Sequence, residues 1–376
     1  MGNFRFGPIF SAFFVVSLWI DPTNCKAGLL TSQAALFVFG DSLFDVGNNN
    51  YINTIRSAQA NFWPYGMTTF KSPTGRFSDG RVIPDFIGTK MYFSMSIPPY
   101  LQPGNNVNQF TYGVNFASAG AGALATTFQG LVIDLKTQLR NFKNVEKILT
   151  ENLGDAEAKK LLSRAVYLFH IGANDYFYPF SLNSSSFQSH TKKAEFVDIV
   201  VGNITAVIKE VYSAGGRKFG FMNMGRFDCV PNALVMDPTR IGACFKPITE
   251  FINLHNQAFP RALKNLEIEL SGFKYALHDF HSLMSRVMNN PSKYGFKEVK
   301  KACCGSGPFR GINTCGYRLG MSEDYELCEN VRDYMFFDSS HGTEKAYGQI
   351  AKLMWSGQPN VTGPYNIKML FEFKDV

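Results

Sequence analysis

Ser42, Asp338 and His341 are the residues whose types and spacing fit nucleophilic chemistry on a carbonyl. A serine hydroxyl is a poor nucleophile until a base takes its proton, and histidine is the natural base near neutral pH. Asp338, three residues before His341, is spaced to hold the imidazole in one tautomer and to stabilise its protonated form. Attack on a carbonyl also requires donors aimed at the developing oxyanion. The backbone amides of Ser42 and Gly120 and the side-chain amide of Asn174 are the candidates. Each piece also has an ordinary structural reading. Gly40-Asp41-Ser42 fits simple turn chemistry, Ser118 to Gly122 fits close packing, Asn174 fits a turn cap, and Asp-x-x-His fits a helix N-cap with a nearby histidine. His278-Asp279-Phe280-His281 imitates a metal or acid–base site and is read as a sheet edge. The Gly-x-Ser-x-Gly elbow of α/β-hydrolases is absent.

The candidates fall where short apolar runs stop. Leu36 to Phe39 reads as a buried parallel strand ending at Gly40-Asp41-Ser42, the sheet edge at which open α/β folds bind ligands. Tyr112 to Ala117 is a second strand before the small-residue turn that holds Gly120, and Ala165 to Ile171 a third before Gly172-Ala173-Asn174-Asp175. Lys218 to Met224 and Phe273 to His278 complete five strands. Helical spacing covers 131–164, 194–214 and 248–271, with a short helix from Val82 to Gly88 and a closing one from Thr343 to Trp355. Asn48 to Asn108 is dense in turn formers and reads as loops laid over the scaffold. Strands alternating with helices predict a three-layer α/β/α fold with a central parallel sheet in one domain, residues 28–376.

Composition agrees with a globular chain: 45% hydrophobic, 18% charged, 36 phenylalanines. The aromatic load fits core packing and is compatible with an apolar substrate cleft. Residues 1–27 read as a secretory signal, with Arg5, an apolar run from Pro8 to Ile20 and a cleavage site near Cys25-Lys26-Ala27. No later stretch is long enough to span a bilayer, so the expected product is soluble and exported. Six cysteines then remain, and an exported chain favours disulfides over zinc because paired Cys-x-x-Cys knuckles are missing. Cys229 with Cys244, and Cys303 and Cys304 divided between Cys315 and Cys328, is the favoured pairing among the fifteen that six cysteines allow. Asn183, Asn203 and Asn360 head glycosylation sequons. The net charge of +7, or +6 without residues 1–27, is dispersed. It marks no nucleic-acid footprint and suits solubility or transient contact with lipid or cell-wall surfaces.

Four blocks taken in order, Phe39-Gly40-Asp41-Ser42-Leu43, Asn115 to Gly120, Gly172 to Asp175 and Asp338 to His341, resemble the signature blocks of the plant GDSL esterase/lipases within the SGNH hydrolases. The resemblance covers essentially the whole of 28–376, including Pro73 to Arg81 and Cys303 to Gly307, and is greatest to secreted members linked to plant defence. It implies a flavodoxin-like fold and a cofactor-free, metal-free esterase or lipase acting on an ester or lipid substrate. Ser42 would be the nucleophile, His341 the base, Asp338 its partner, and Ser42, Gly120 and Asn174 the oxyanion hole. Two departures stand out. Ala119 replaces the usual glycine, which would crowd the second block, and Gly342 replaces a common proline, which would loosen the His341 turn. The alternatives are a carbohydrate acetylesterase of the same mechanism and a non-catalytic binding protein on the same fold.

Overall fold

A computed structural model describes residues 1–2, 34–90, 97–182, 189–312, 314–318, 321–322 and 324–373. The expected signal, residues 1–27, and the Asn183 sequon lie outside the described residues apart from Met1 and Gly2. Ala34–Val376 forms one compact unit.

Strand β1, Leu36–Gly40, is buried at every position, as an apolar run without alternation requires when both faces of a sheet are covered. It pairs in parallel with β2, Gly113–Asn115, and with β3, Val166–His170. Beyond β3 come β4, Lys218–Met222, and β5, Lys274–His278, also parallel. The last strand, β6, Thr362–Pro364, joins β5 antiparallel and gives the order β6-β5-β4-β3-β1-β2. The five parallel strands follow the 2-1-3-4-5 order of flavodoxin-like sheets, whose ligand crevice lies between β1 and β3 at their carboxyl ends. Gly40 pairs with His170 at that crevice.

β6 adds one antiparallel strand to the parallel sheet: Thr362 pairs with His278 at the end of β5, and His278 Nδ1 lies 2.9 Å from the Thr362 hydroxyl. A three-residue strand ending in Gly-Pro offers too little periodicity to be read from sequence.

Seven helices of eight or more residues that bear on the site and core can be named in order: α1 Ile83–Lys90, α2 Leu135–Leu153, α3 Asp155–Arg164, α4 Ala173–Ser181, α5 His190–Ser213, α6 Lys246–Glu269 and α7 Phe280–Asn289. An eighth, α8, spans Glu344–Ser356. The single helical stretch expected over 131–164 is two helices, since Gly154 adopts φ +82° and ends α2 while the apolar spacing runs on. The aromatic residues stack across the sheet. Phe39 and Phe169 lie 4.5 Å apart and parallel, Phe219 and Phe273 4.8 Å apart, and Phe142 of α2 meets Phe37 and Phe39 edge-on.

The cysteines pair as favoured: Cys229–Cys244, Cys303–Cys328 and Cys304–Cys315. Among the described residues, no helix is long and apolar enough to cross a membrane.

Candidate active site

The turn after β1 presents Ser42. Gly40 precedes it with no room for a side chain, since a Cβ there would lie 2.5 Å from the His170 carbonyl oxygen. The buried Gln138 side chain of α2 brackets the same residue, accepting from its amide at 2.9 Å and donating to its carbonyl at 2.8 Å. The Asp41 carbonyl accepts from Phe44 and Asp45, closing the turn that holds Ser42 at the sheet edge.

His341 arrives from the other end of the chain. Its Nε2 lies 2.8 Å from Ser42 Oγ, and its Nδ1 lies 2.8 and 2.9 Å from the Asp338 carboxylate oxygens. A carboxylate only accepts, so Nδ1 carries the proton and Nε2 is left to accept from the serine hydroxyl. Asp338 is fully buried and also takes the amides of Ser340 and His341, each at 2.8 Å. Burial pushes its carboxyl pKa up, but the His341 charge and the hydrogen bonds from His341, Tyr65 and Ser340 outweigh it and hold the group below the usual carboxylate value.

Tyr65 is the residue that sequence reasoning missed. Its hydroxyl donates to Asp338 Oδ2 at 2.6 Å, across 273 positions of chain. Burial first, then the Asp338 charge, drives its own pKa well above the ordinary value, so it remains a donor. Its ring packs edge-on against Phe62, Phe77 and Phe337, and Phe77 in turn lies 4.5 Å from the His341 ring. Tyr65 falls within the turn-rich Asn48 to Asn108 stretch, but no local signal links it to a residue so distant.

The His341 turn is tied down rather than loosened. The Gly342 amide donates to the Tyr347 hydroxyl at 3.0 Å, a bond that proline could not make, and the Tyr347 ring fills the space a Gly342 Cβ would need. The Pro73 to Arg81 stretch latches onto the helix that follows: Asp79 accepts the Glu344 amide at 2.7 Å, and Arg81 pairs with the Glu344 carboxylate at 2.7 Å. Within the same stretch Arg76 is buried and grips Asp85 of α1 with two 2.8 Å hydrogen bonds.

Gly120 sits in a turn closed by the Ala121 amide on the Ser118 carbonyl, at φ +82°, a conformation that favours glycine. Ala119 is buried, in the core cluster that also holds Tyr65, Phe77 and the four cysteines of two disulfides. Asn174 occupies the first turn of α4, and its amide donates one hydrogen to the Ala121 carbonyl at 2.9 Å, leaving the other available. Among the described residues, neither the Ser42 nor the Gly120 amide donates to a protein acceptor. Ser42, Gly120, Asn174 and His341 all line one cavity of about 640 Å³. Its wall continues through Phe128, Val132, Phe177, Phe227, Val230 and Met236, a mostly apolar surface beside a few convergent polar groups.

The remaining histidines do not line the cavity. His170 faces Asp41 at 3.3 Å and His255 faces the Tyr176 hydroxyl at 2.8 Å, both buried, while Asp279 caps α7. Asp228, Cys229 and Cys244 are the one cluster of metal-type ligands among the described residues; its sulfurs form a disulfide and its carboxylate pairs with Arg226.

The sequence matches the GDSL-like Lipase/Acylhydrolase family over residues 36–354. It is 64% identical to GDSL esterase/lipase 2 of Arabidopsis thaliana over 368 residues, covering 97% of both chains. It is 49% identical to the GDSL lipase of Tanacetum cinerariifolium over 356 residues, 94% of this chain and 91% of that one. At 35% identity over 335 residues, 89% of this chain and 74% of the other, it also resembles the Inactive GDSL esterase/lipase-like protein 25 of Arabidopsis thaliana. With its sequence matched nearly end to end and its serine, histidine and aspartate in line at one cavity, the chain belongs to the GDSL-like lipases and acylhydrolases, serine hydrolases of carboxylic esters.

Proposed function

We propose that Ser42 is the nucleophile, His341 the general base, and Asp338 the group that orients and charge-stabilises His341. Ser42 Oγ attacks the ester carbonyl carbon while its proton passes to His341 Nε2. The carbonyl electron pair moves onto oxygen, where the Ser42 and Gly120 amides and the Asn174 side chain receive it. Collapse expels the alcohol, which takes the proton back from Nε2, and leaves an acyl group on Ser42. Water then repeats the sequence, releasing the carboxylic acid and restoring the serine. The observation that carries this reading is the continuous chain of 2.8 Å contacts from Ser42 Oγ through the imidazole to a fully buried carboxylate.

The apolar wall supports an aliphatic acyl group, so lipid acyl esters are the proposed substrates. Residues 28–376 form the single hydrolase domain of a secreted chain after loss of 1–27, with glycans on Asn183, Asn203 and Asn360. The exposure of Asn203 and Asn360 supports the last two. The test is labelling by an active-site phosphonate with Ser42→Ala as control, alongside hydrolysis of p-nitrophenyl esters of increasing chain length. The expected result is labelling that the variant loses and turnover that continues beyond acetate. No labelling of folded protein supports the binding-protein alternative, and activity confined to acetate supports the acetylesterase.

A further inference from the structure

The three oxyanion donors come from separate segments: the β1 turn, the 118–124 loop and the first turn of α4. Such donors share a target only if their segments are fixed to one another, because misplacement by a fraction of an ångström already costs rate. Two buried carboxylates make those links. Asp45 has no exposed surface. Its Oδ1 accepts the amides of Gly47 and Asn48, both at 2.7 Å, while Oδ2 accepts the Ala119 amide at 2.9 Å, immediately before Gly120. Asp175, next to Asn174, accepts the Ala123 amide on Oδ2 at 2.7 Å. Its Oδ1 accepts the Leu124 amide at 3.1 Å and the Thr127 hydroxyl at 2.6 Å. A Cβ on Gly122 would lie 2.3 Å from Asp175 Oδ1, so the loop is closed tightly around this carboxylate.

Neither carboxylate forms an ion pair among the described residues. Burial raises both carboxyl pKa values to about 6 against the pull of their donors, which marks the cost of keeping them. A cost of that kind without a counter-ion is a poor investment in stability alone.

We infer that Asp175 and Asp45 are positioning residues of the ester-hydrolysing site, acting through Asn174 and Gly120 by cross-linking the segments that carry the oxyanion donors. The inference rests on the roles assigned to those donors under the proposed function. Asparagine does not replace either carboxylate, because its NH₂ group would face an N–H donor.

The experiment compares wild type, Asp175→Asn, Asn174→Ala and their double variant. It measures kcat/KM on p-nitrophenyl butyrate, inhibition by an alkyl trifluoromethyl ketone, whose serine adduct carries the oxyanion, and inhibition by an inert ether analogue. The expected result for Asp175→Asn is a loss of about 10–100-fold in kcat/KM, a matching loss of ketone affinity, and ether affinity within about twofold of wild type. In the Asn174→Ala background the same change costs less than about threefold, because both act on one donor set. If Asp175→Asn does not fold, Thr127→Val, which deletes a single donor to Asp175, carries the test with the same pattern at about 3–10-fold. Ketone affinity unchanged in either folded variant, or full additivity in the cycle, overturns the inference while wild-type turnover preserves the enzyme reading. A wild-type protein that hydrolyses no ester overturns both.

Discussion

Replacing Tyr65 by phenylalanine removes one oxygen atom from the candidate active site and little else. The ring keeps its edge-on neighbours Phe62, Phe77 and Phe337 at 5.2, 5.7 and 5.4 Å, so no cavity larger than a hydroxyl opens. What disappears is the 2.6 Å hydrogen bond to Asp338 Oδ2. Hydrogen bonds to a charged group contribute about 1.5–3 kcal/mol. Here the lower half applies, because Oδ2 still receives His341 Nδ1 at 2.9 Å and is not orphaned. The expected loss of unfolding free energy is therefore about 1.5–2 kcal/mol, read from urea unfolding near pH 7. The catalytic effect is smaller and comes from placement: Asp338 loses one of the partners that hold its carboxylate against His341, and a fall in kcat of about 3–10-fold is expected. The sign of the pH effect is distinctive. Without the phenol, more negative charge remains on Asp338 to stabilise a protonated His341, so the acid limb of kcat/KM, a property of the pair, moves to higher pH. An unfolding free energy within about 0.5 kcal/mol of wild type together with superimposable pH profiles would refute the reasoning. A limb that moves to lower pH would refute it as well.

Asn174→Ala removes a donor that otherwise reaches the cavity and should lower kcat by about 10²–10³ while leaving phosphonate labelling of Ser42 detectable; undiminished turnover removes Asn174 from the oxyanion hole. His255 is fully buried, and burial first, then the neighbouring His170 charge, lowers its pKa to about 3, against about 6.5 in an unfolded chain. The stability gained by keeping it neutral is therefore complete above pH 6.5 and is lost as the pH falls, because the unfolded chain takes the proton first. Between pH 7.5 and 5, wild type should lose about 2 kcal/mol more than His255→Gln in urea unfolding, and parallel pH slopes would show that His255 is not the group responsible.

The sequence by itself determined whatever short-range chemistry writes into consecutive residues. Leu36 to Phe39 is apolar without alternation and so had to be a strand covered on both faces. Asp338 and His341, three residues apart, meet within a single turn, and that pairing needed no fold to be legible. The same holds for Cys229 and Cys244, whose short separation favours local closure. Ser42, Gly120 and Asn174 could each be assigned because a strand end, a small-residue turn and a polar turn mark themselves locally, even though no local feature brings them together.

Tertiary structure decided everything that depends on contacts between distant segments. The apolar spacing of 131–164 does not register that Gly154 turns the chain, and α4, a nine-residue helix carrying Asn174 and an internal Pro179, lacks the length and periodicity that would have identified it. The antiparallel β6 is recognisable only by its partner β5. Tyr65 reaches Asp338 and Asp45 reaches Ala119 because the sheet order sets β1 between β2 and β3 and folds the 48–82 loops over their carboxyl ends. A hydrogen bond acts over about 3 Å of space and is indifferent to the hundreds of residues between its partners. The buried carboxylates and the phenol that hold the site in register therefore left no mark in residue spacing and emerged only once the chain had folded.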